Sequence, residues 1–371
     1  MKILLIGEYS NVHNTLAEGL RMLGHKVVVA SNGDFWKNYP RDIDFSRNPG
    51  FAGTFRFAAR LINALPHMRG YDVVQIINPM FLELKAEKIL PIYRYLRRNN
   101  GKVVMGAYGM DYYWVHENVT KMPLRYSDFN IGDHLRTDDD AMKEWADWLD
   151  TPKGHLNQYI AHDCDAIVAG LYEYWACYQP LFPDKTVFIP FPIKQKSPKD
   201  KADSQDHLPL KIFIGISKQR SAYKGTDIML EAARKLKQKY PKKVTLSIAC
   251  GVPFQKYTQM MNDADVILDQ LYSYTPAMNG LEAMSRGIIC VGGGEPENYD
   301  ILGEESLRPI INTEPNEKSV YNALEQLISH PEMITALKEQ SILYIRKHHD
   351  YLQVARRYEN LYQELIENPK E

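Results

Sequence analysis

Between Lys194 and Pro209 the stretch KQKSPKDKADSQDHLP has no apolar periodicity. On either side of it one pattern recurs: a short apolar run, a turn, then apolar residues at helical spacing. KILLIG (Lys2 to Gly7) is followed by Leu16 to Leu23 at helical spacing, which Gly24 stops. The runs HKVVVAS (His25 to Ser31), YDVVQII (Tyr71 to Ile77), GKVVMGAY (Gly101 to Tyr108), CDAIVAG (Cys164 to Gly170) and KTVFIPF (Lys185 to Phe191) continue it, with helical patterns around Ala58 and Ile92. Past the polar stretch come LKIFIGI (Leu210 to Ile216), a helix from about Thr226 to Lys239, VTLSIAC (Val244 to Cys250), DVILDQ (Asp265 to Gln270) and IICVGGG (Ile288 to Gly294). Strands apolar on both faces that alternate with helices build parallel sheets covered on both sides. The expected fold class is α/β, two doubly wound Rossmann-like domains at 1–193 and 210–349 joined by a linker at 194–209. Such sheets bind ligands at their carboxyl ends, so a cleft between the two domains is the expected site. The amphipathic segment YLQVARRYENLYQELIE (Tyr351 to Glu367) is expected to cross back to the first domain as part of a helix over 350–371.

Charge narrows the partners. Across 371 residues, 45 Lys and Arg nearly balance 46 Asp and Glu, so no field of the whole chain points to nucleic acid. The first hundred residues are the basic part, with 14 cations against 8 anions. Within them FAGTFRFAARLINALPHMR (Phe51 to Arg69) interleaves Arg56, Arg60 and Arg69 with aromatic and aliphatic residues, and Arg94, Arg97 and Arg98 follow. Two readings fit: a core helix with a solvated basic edge, or a helix lying on anionic lipid, which would make membrane contact peripheral. Four cysteines without C-x-x-C spacing suggest a reducing compartment, and the chain reads as cytoplasmic. No apolar stretch reaches 18 residues, and the start MKILLIGEYS is unlike a signal peptide.

In the second half, GISKQRSAYKGT (Gly215 to Thr226) follows a strand and enters a helix, bringing Lys218, Arg220 and Lys224 to the sheet's carboxyl end. Cations there suit a diphosphate leaving group; a solvated basic loop is the plainer alternative. Further on, Thr275 has the character of an N-cap and Pro276 of a first helical residue. The amides of Ala277, Met278 and Asn279 would then be free to bind phosphate, and Glu282 would accept ribose hydroxyls or else lie on a helix surface. Gly292, Gly293 and Gly294 allow close backbone approach, to a ligand or in packing.

Several signals are set aside. Asp138, Asp139 and Asp140 place acid at a helix start, Asp263 and Asp265 lead into a strand, and His348 and His349 have no ligand cluster around them, so no metal site is expected. G-x-G-x-x-G is absent after the first strand, against a dehydrogenase.

The combination of R-x-x-x-K-G-T (Arg220 to Thr226), D-Q (Asp269, Gln270), E-A-M-S-R-G-I (Glu282 to Ile288) and G-G-x-E (Gly292 to Glu295) resembles nucleotide-sugar glycosyltransferases of the GT-B fold, in the large retaining "glycosyl transferases group 1" family. The likeness spans nearly the whole chain, from GEYSNVHNTLAEGLRMLGHKVVVAS (Gly7 to Ser31) through the linker to the last helix. It implies that Arg220 and Lys224 stabilise the donor diphosphate, that Ala277 and Met278 give backbone contacts to phosphate, and that Glu282 meets the donor ribose. In the first half GAYGMDYYW (Gly106 to Trp114) resembles the turn that faces the cleft in such enzymes, which implies that Asp111 activates an acceptor hydroxyl as general base, a turn-capping aspartate being the alternative. Asn11 and His13, in the loop after the first strand, would contact acceptor or else serve packing and capping. Eight residues before Glu282, where the motif carries another glutamate that faces the transferred sugar, this chain has Tyr274. The implied activity is transfer of a sugar from a nucleoside-diphosphate sugar to a saccharide or lipid-linked saccharide, in bacterial surface-polysaccharide assembly, with no cofactor and no essential metal. A nucleotide-sugar epimerase of the same fold and a non-catalytic nucleotide-sugar-binding protein are the alternatives. Retention fits the family and inversion would fit Asp111 as base, so the stereochemistry stays open.

Overall fold

The structure, a computed structural model, describes residues 1–195, 208–217 and 221–368. Most of the expected linker, and with it Lys218 and Arg220, lies outside the described residues. The chain divides into two compact units, one of residues 1–117, 145–192 and 351–371, the other of 118–144 and 193–350.

Through the first half run β1 (Lys2–Ile6), α1 (Val12–Met22), β2 (Lys26–Ser31), β3 (Ile43–Asp44), α2 (Phe51–Ala64), β4 (Val73–Ile76), α3 (Ala86–Asn99), β5 (Lys102–Ala107) and α4 (Tyr112–Thr120). A short antiparallel hairpin, β6 (Asn130–Ile131) and β7 (His134–Leu135), is followed by α5 (Asp139–Trp148), α6 (Pro152–Asp163), β8 (Ala166–Ala169), α7 (Tyr172–Tyr178) and β9 (Thr186–Phe188). The first unit's sheet has seven strands in the order β3-β2-β1-β4-β5-β8-β9, each pair parallel. Its central strands are buried on both faces, as continuous apolar runs demand.

The second half holds β10 (Leu210–Ile216), α8 (Ser221–Lys224), α9 (Thr226–Lys239), β11 (Val244–Cys250), α10 (Phe254–Asn262), β12 (Val266–Leu268), α11 (Met278–Met284), β13 (Ile289–Gly292), α12 (Pro296–Leu302), β14 (Ile311–Asn312), α13 (Glu317–Ser329), α14 (Met333–Tyr344) and α15 (Tyr351–Glu367). Five parallel strands run in the order β11-β10-β12-β13-β14. One face is sealed by Met229, Ala233 and Leu236 of α9 with Val320, Leu324 and Leu327 of α13, all fully or almost fully buried.

The last helix returns to the first unit. A Cβ on Gly19 of α1 would fall 2.7 Å from Ala355 Cβ, so only glycine lets α1 and α15 approach this closely. From α15 the Tyr362 hydroxyl donates to Gln75 Oε1 at 2.7 Å, and the Tyr358 hydroxyl pairs with that of Tyr108. These buried polar groups satisfy one another and fix the helix in register.

Residues 118–144 depart from the sequence reading, which assigns them to the first domain; they pack with the second unit. This arm buries Leu124, Tyr126, Phe129 and Asn130. Asn130 holds the hairpin shut by donating to the carbonyls of Leu124 (2.9 Å) and Gly132 (3.0 Å). The edge strands β3 and β14 were not expected either, since two residues carry no readable period.

Candidate functional site

At the carboxyl edge of the second sheet, α8 ends on Lys224, and Gly225 (φ 68°) turns the chain into α9. A Cβ on Gly225 would fall 2.6 Å from Leu271 Cβ, so the turn needs glycine for space as well as for conformation. The Lys224 carbonyl accepts the N–H of Leu271 at 2.9 Å, which ties the basic turn to the loop after β12.

Asp269 organises that loop. It is buried, its Oδ2 accepts the Ala277 N–H at 3.0 Å, and Gly280 leaves room for it, since a Cβ there would lie 2.7 Å from the same oxygen. Burial pushes the carboxyl up to about 6, against the charge of Lys224 and the N–H groups at Ala277 and Gly280, which pull it down. Asp269 enters the sequence reading only as half of D-Q; its part in holding the start of α11 is visible only in the fold.

This arrangement corrects the helix start. Ala277 is the N-cap and Met278 the first helical residue, where Thr275 and Pro276 were expected. Residues 273–276 form a turn of their own instead, in which Ser273 Oγ donates to the Thr275 carbonyl at 2.6 Å. The Ala277 amide, expected to face phosphate, is taken by Asp269. Asn279 accepts from the Tyr257 hydroxyl at 2.9 Å and bonds to Asp269 as well. Glu282 is half-buried and pairs with Arg286 one turn on, and Arg286 also reaches Asn262 Oδ1. The glycine run packs against the same loop, for a Cβ on Gly293 would lie 2.1 Å from the Ser273 carbonyl oxygen.

The arm contacts three of the loops on this edge. Arg136 donates to the carbonyls of Ala222 (2.9 Å) and Tyr223 (3.3 Å), just before Lys224, and lies 3.8 Å over the Tyr272 ring. The Tyr223 hydroxyl donates to Asp128 at 2.5 Å. Tyr274 is buried, accepts the Arg125 N–H at 2.7 Å, and carries the Arg125 guanidinium 4.8 Å from its ring centre. Glu295, the N-cap position of α12, accepts from Arg125 at 2.7 Å and from the Tyr126 hydroxyl at 2.5 Å.

In the first unit the expected acceptor-side residues are built into the framework. Asp111 is fully buried: Oδ1 accepts the Trp114 N–H at 2.9 Å and Oδ2 the Tyr178 hydroxyl at 2.8 Å. That is capping geometry at the start of α4, and burial pushes the carboxyl up to about 7. His13 is also fully buried. Its Nδ1 meets the Gly7 carbonyl at 2.9 Å and its Nε2 the Gln75 amide nitrogen at 3.2 Å, partners that assign the proton to Nδ1. Burial holds the ring neutral, pushed down to about 3. Asn11, in the left-handed region at φ 72°, donates to Thr15 Oγ1 at 3.0 Å and accepts from Asn14 at 2.9 Å. Glu8, which the sequence reading passed over, accepts the N–H of His13 at 3.2 Å and of Asn14 at 2.8 Å, and burial pushes it up to about 8. An acid placed directly between a buried strand and a helix start was its signal.

Among the described residues, no group of three or more His, Cys, Asp or Glu comes together as a metal site. No helix among them is long and apolar enough to cross a membrane.

No protein-family profile matches the chain, and no curated protein sequence matches it. Solved structures do. Sucrose-phosphate synthase from Thermosynechococcus elongatus superposes with a TM-score of 0.62 at 14% identity, over 99% of this chain and 100% of that one. Anabaena Alr3699/HepE, solved with UDP and glucose, gives 0.60 at 13% identity over 98% and 99%. The chain has the GT-B fold. A Listeria monocytogenes structure, given as a putative UDP-N-acetylglucosamine 2-epimerase, superposes at 0.56, with 10% identity over 99% and 97%.

Proposed function

We propose that this chain is a glycosyltransferase. It takes a sugar from a nucleoside-diphosphate donor and places it on a hydroxyl of a saccharide or lipid-linked saccharide, in bacterial surface-polysaccharide assembly at the inner face of the membrane. The observation that carries this reading is the join of Lys224 to Leu271 at 2.9 Å, which sets the basic turn beside the Asp269-capped start of α11 on one sheet edge. In the reaction, Lys224 and Arg220 take up the charge that grows on the diphosphate as the bond to the sugar breaks, with Lys218 adding to the field. The amides of Met278 and Asn279 approach a phosphate oxygen, while Ala277 acts through its bond to Asp269. Glu282 accepts the ribose hydroxyls once it gives up part of its pairing with Arg286. No cofactor and no essential metal enters this scheme. Asp111 acts through its hold on α4 rather than as the base.

An epimerase is the second reading, favoured by the likeness to the Listeria protein. It would consume a nucleotide sugar with no acceptor present.

The test is a thermal-shift panel of UDP, GDP, ADP and CMP with nucleotide sugars, with and without magnesium, on the wild type and Lys224→Ala. A ligand that binds only the native state raises the melting temperature by mass action. A shift with one nucleoside diphosphate that the variant loses supports the donor site; no shift with any of them overturns it. Binding without turnover of any donor would leave a nucleotide-sugar-binding protein.

A further inference from the structure

Helix α2 has two apolar faces, and only one is used inside the fold. Gly53, Phe57, Leu61 and Ala64 are buried, while Phe51, Phe55, Ala58 and Ile62 form a stripe on the opposite side at helical spacing. Phe51 is 90% exposed, Phe55 70% and Ile62 65%. Single exposed apolar residues are ordinary, but a continuous stripe on a helix already anchored by its other face marks an interaction surface.

Charge identifies the partner. From Ser46 to Gly70 the sequence has Arg47, Arg56, Arg60 and Arg69 and no Asp or Glu. Arg60 is held at the flank by Asp44 at 2.9 Å. An apolar stripe on a segment that carries arginine and no acid of its own, with the flanking Asp44 already neutralised by Arg60 and Arg41, is the composition that settles on anionic lipid headgroups.

A second exposed pair follows a strand that ends on the same sheet edge. Phe35 and Trp36 are 64% and 60% exposed at the tip of a turn whose residues Gly33, Asp34 and Phe35 all have positive φ (74°, 57° and 55°). Asp34 holds the turn by accepting the Ser10 N–H at 2.8 Å and the Lys37 ammonium at 2.6 Å, and Lys37 also reaches Ser10 Oγ at 3.1 Å. The tip is thereby pinned to the loop after β1. Because β2 and β3 are parallel, the tip that follows β2 and the helix that follows β3 both start from the same carboxyl edge of the sheet.

We infer that α2 and the Phe35–Trp36 tip dock this protein on an anionic lipid surface, Phe51, Phe55, Ile62 and Trp36 entering the headgroup boundary while Arg47 and Arg56 meet lipid phosphates. This deepens the proposed function, on which it rests for its purpose: docking here sets the loop after β1 beside a membrane-borne acceptor. A second copy of the chain fits less well, since three side chains and a two-residue tip fall far short of the roughly 20 to 30 residues a side of a stable interface.

The experiment sediments the full chain with vesicles of phosphatidylcholine alone or with about one third phosphatidylglycerol. Wild type binds the anionic vesicles and is released by salt. Phe51→Glu with Phe55→Glu abolishes the binding, and Arg47→Glu with Arg56→Glu weakens it by about tenfold or more. These exposed changes leave the melting temperature and the nucleoside-diphosphate shift as in wild type, so loss of docking and loss of the donor site read out separately. The inference is overturned if wild type ignores anionic vesicles or if the double phenylalanine variant binds them equally well. It is also overturned if gel filtration shows a dimer that the double variant dissolves, which would assign the stripe to self-association.

Discussion

Tyr274 Oη accepts the backbone N–H of Arg125 across 149 residues of sequence, at 2.7 Å. The arm over 118–144 therefore hangs on the side chain that stands where the resemblance leads one to expect a glutamate. The cluster explains the substitution. Glu295 already lies in it, accepting from Arg125 and Tyr126, and Glu297 pairs with Arg125 too. A third carboxylate at 274 would be buried among like charges, whereas a tyrosine offers a neutral acceptor and a ring face for the Arg125 guanidinium.

Tyr274→Phe leaves the Arg125 N–H without its acceptor and is expected to destabilise the second unit by about 1–2 kcal/mol. Tyr274→Glu, which matches the family motif, is expected to cost more, about 3 kcal/mol or above, because it adds a buried charge of the wrong sign. Urea unfolding of the three proteins checks the order. A glutamate variant as stable as wild type would show that the cluster does not select tyrosine.

The terminal helix makes a prediction of its own. Tyr362 is fully buried and donates to Gln75 Oε1 at 2.7 Å, while the Gln75 amide nitrogen is shared between His13 and Tyr108 at 3.2 Å each. Tyr362→Phe strips one acceptor of its partner without making a cavity and is expected to cost about 1–3 kcal/mol. Hydrogen exchange should show earlier opening of α15, since the change removes one of its polar links to the first unit, beside that of Tyr358 to Tyr108.

The βα alternation was legible because strands buried on both faces must be apolar throughout, and Thr226–Lys239 emerged with the bounds its period predicts. The arm was not legible. Its partners Tyr274 and Glu295 lie some 150 to 170 residues on, and a hydrogen bond over that distance leaves no local pattern. At the site, Lys224 and the start of α11 stand on one edge as their spacing suggested. Asp269 and Glu8 went unread because the worth of a buried cap depends on which amides the fold aims at it. His13 and Asp111 looked like chemistry for the same reason, since a buried polar residue that satisfies the backbone and one that meets a substrate are identical as letters.

Stability should fall between about pH 6.5 and 8. Glu8 rises from 4.5 to about 8 on burial, so the native state keeps a proton that the unfolded chain releases. Its stabilising contribution is complete below its unfolded value and is lost as pH rises through 8. His13 works in the other direction, lowered from 6.5 to about 3, and its contribution is lost only as pH falls below 6.5. Above that point the acids act alone, with Asp111, pushed up to about 7, adding to the lower part of the window. For Glu8 the fall over this range is about 2 kcal/mol. Glu8→Gln should flatten the slope above pH 7 while costing one of the two cap bonds. A slope unchanged in that variant would assign the pH dependence to other groups.

Gly225→Ala joins stability to the donor site. The residue sits at φ 68°, and the added Cβ would meet Leu271 Cβ at 2.6 Å, in the loop whose N–H holds the Lys224 carbonyl. Left-handed backbone costs an alanine about 1 kcal/mol and the clash adds more, for a total of about 2–4 kcal/mol. Relief has to come from parting the turn that carries Lys224 from Leu271. The variant should therefore lose most of the nucleoside-diphosphate thermal shift while still folding in the cold, whereas a destabilising change far along the chain from the turn, Asn316→Ala at the cap of α13, which costs about 1 kcal/mol, should keep it. An undiminished shift in Gly225→Ala would mean that Lys224 does not need this turn to meet the diphosphate.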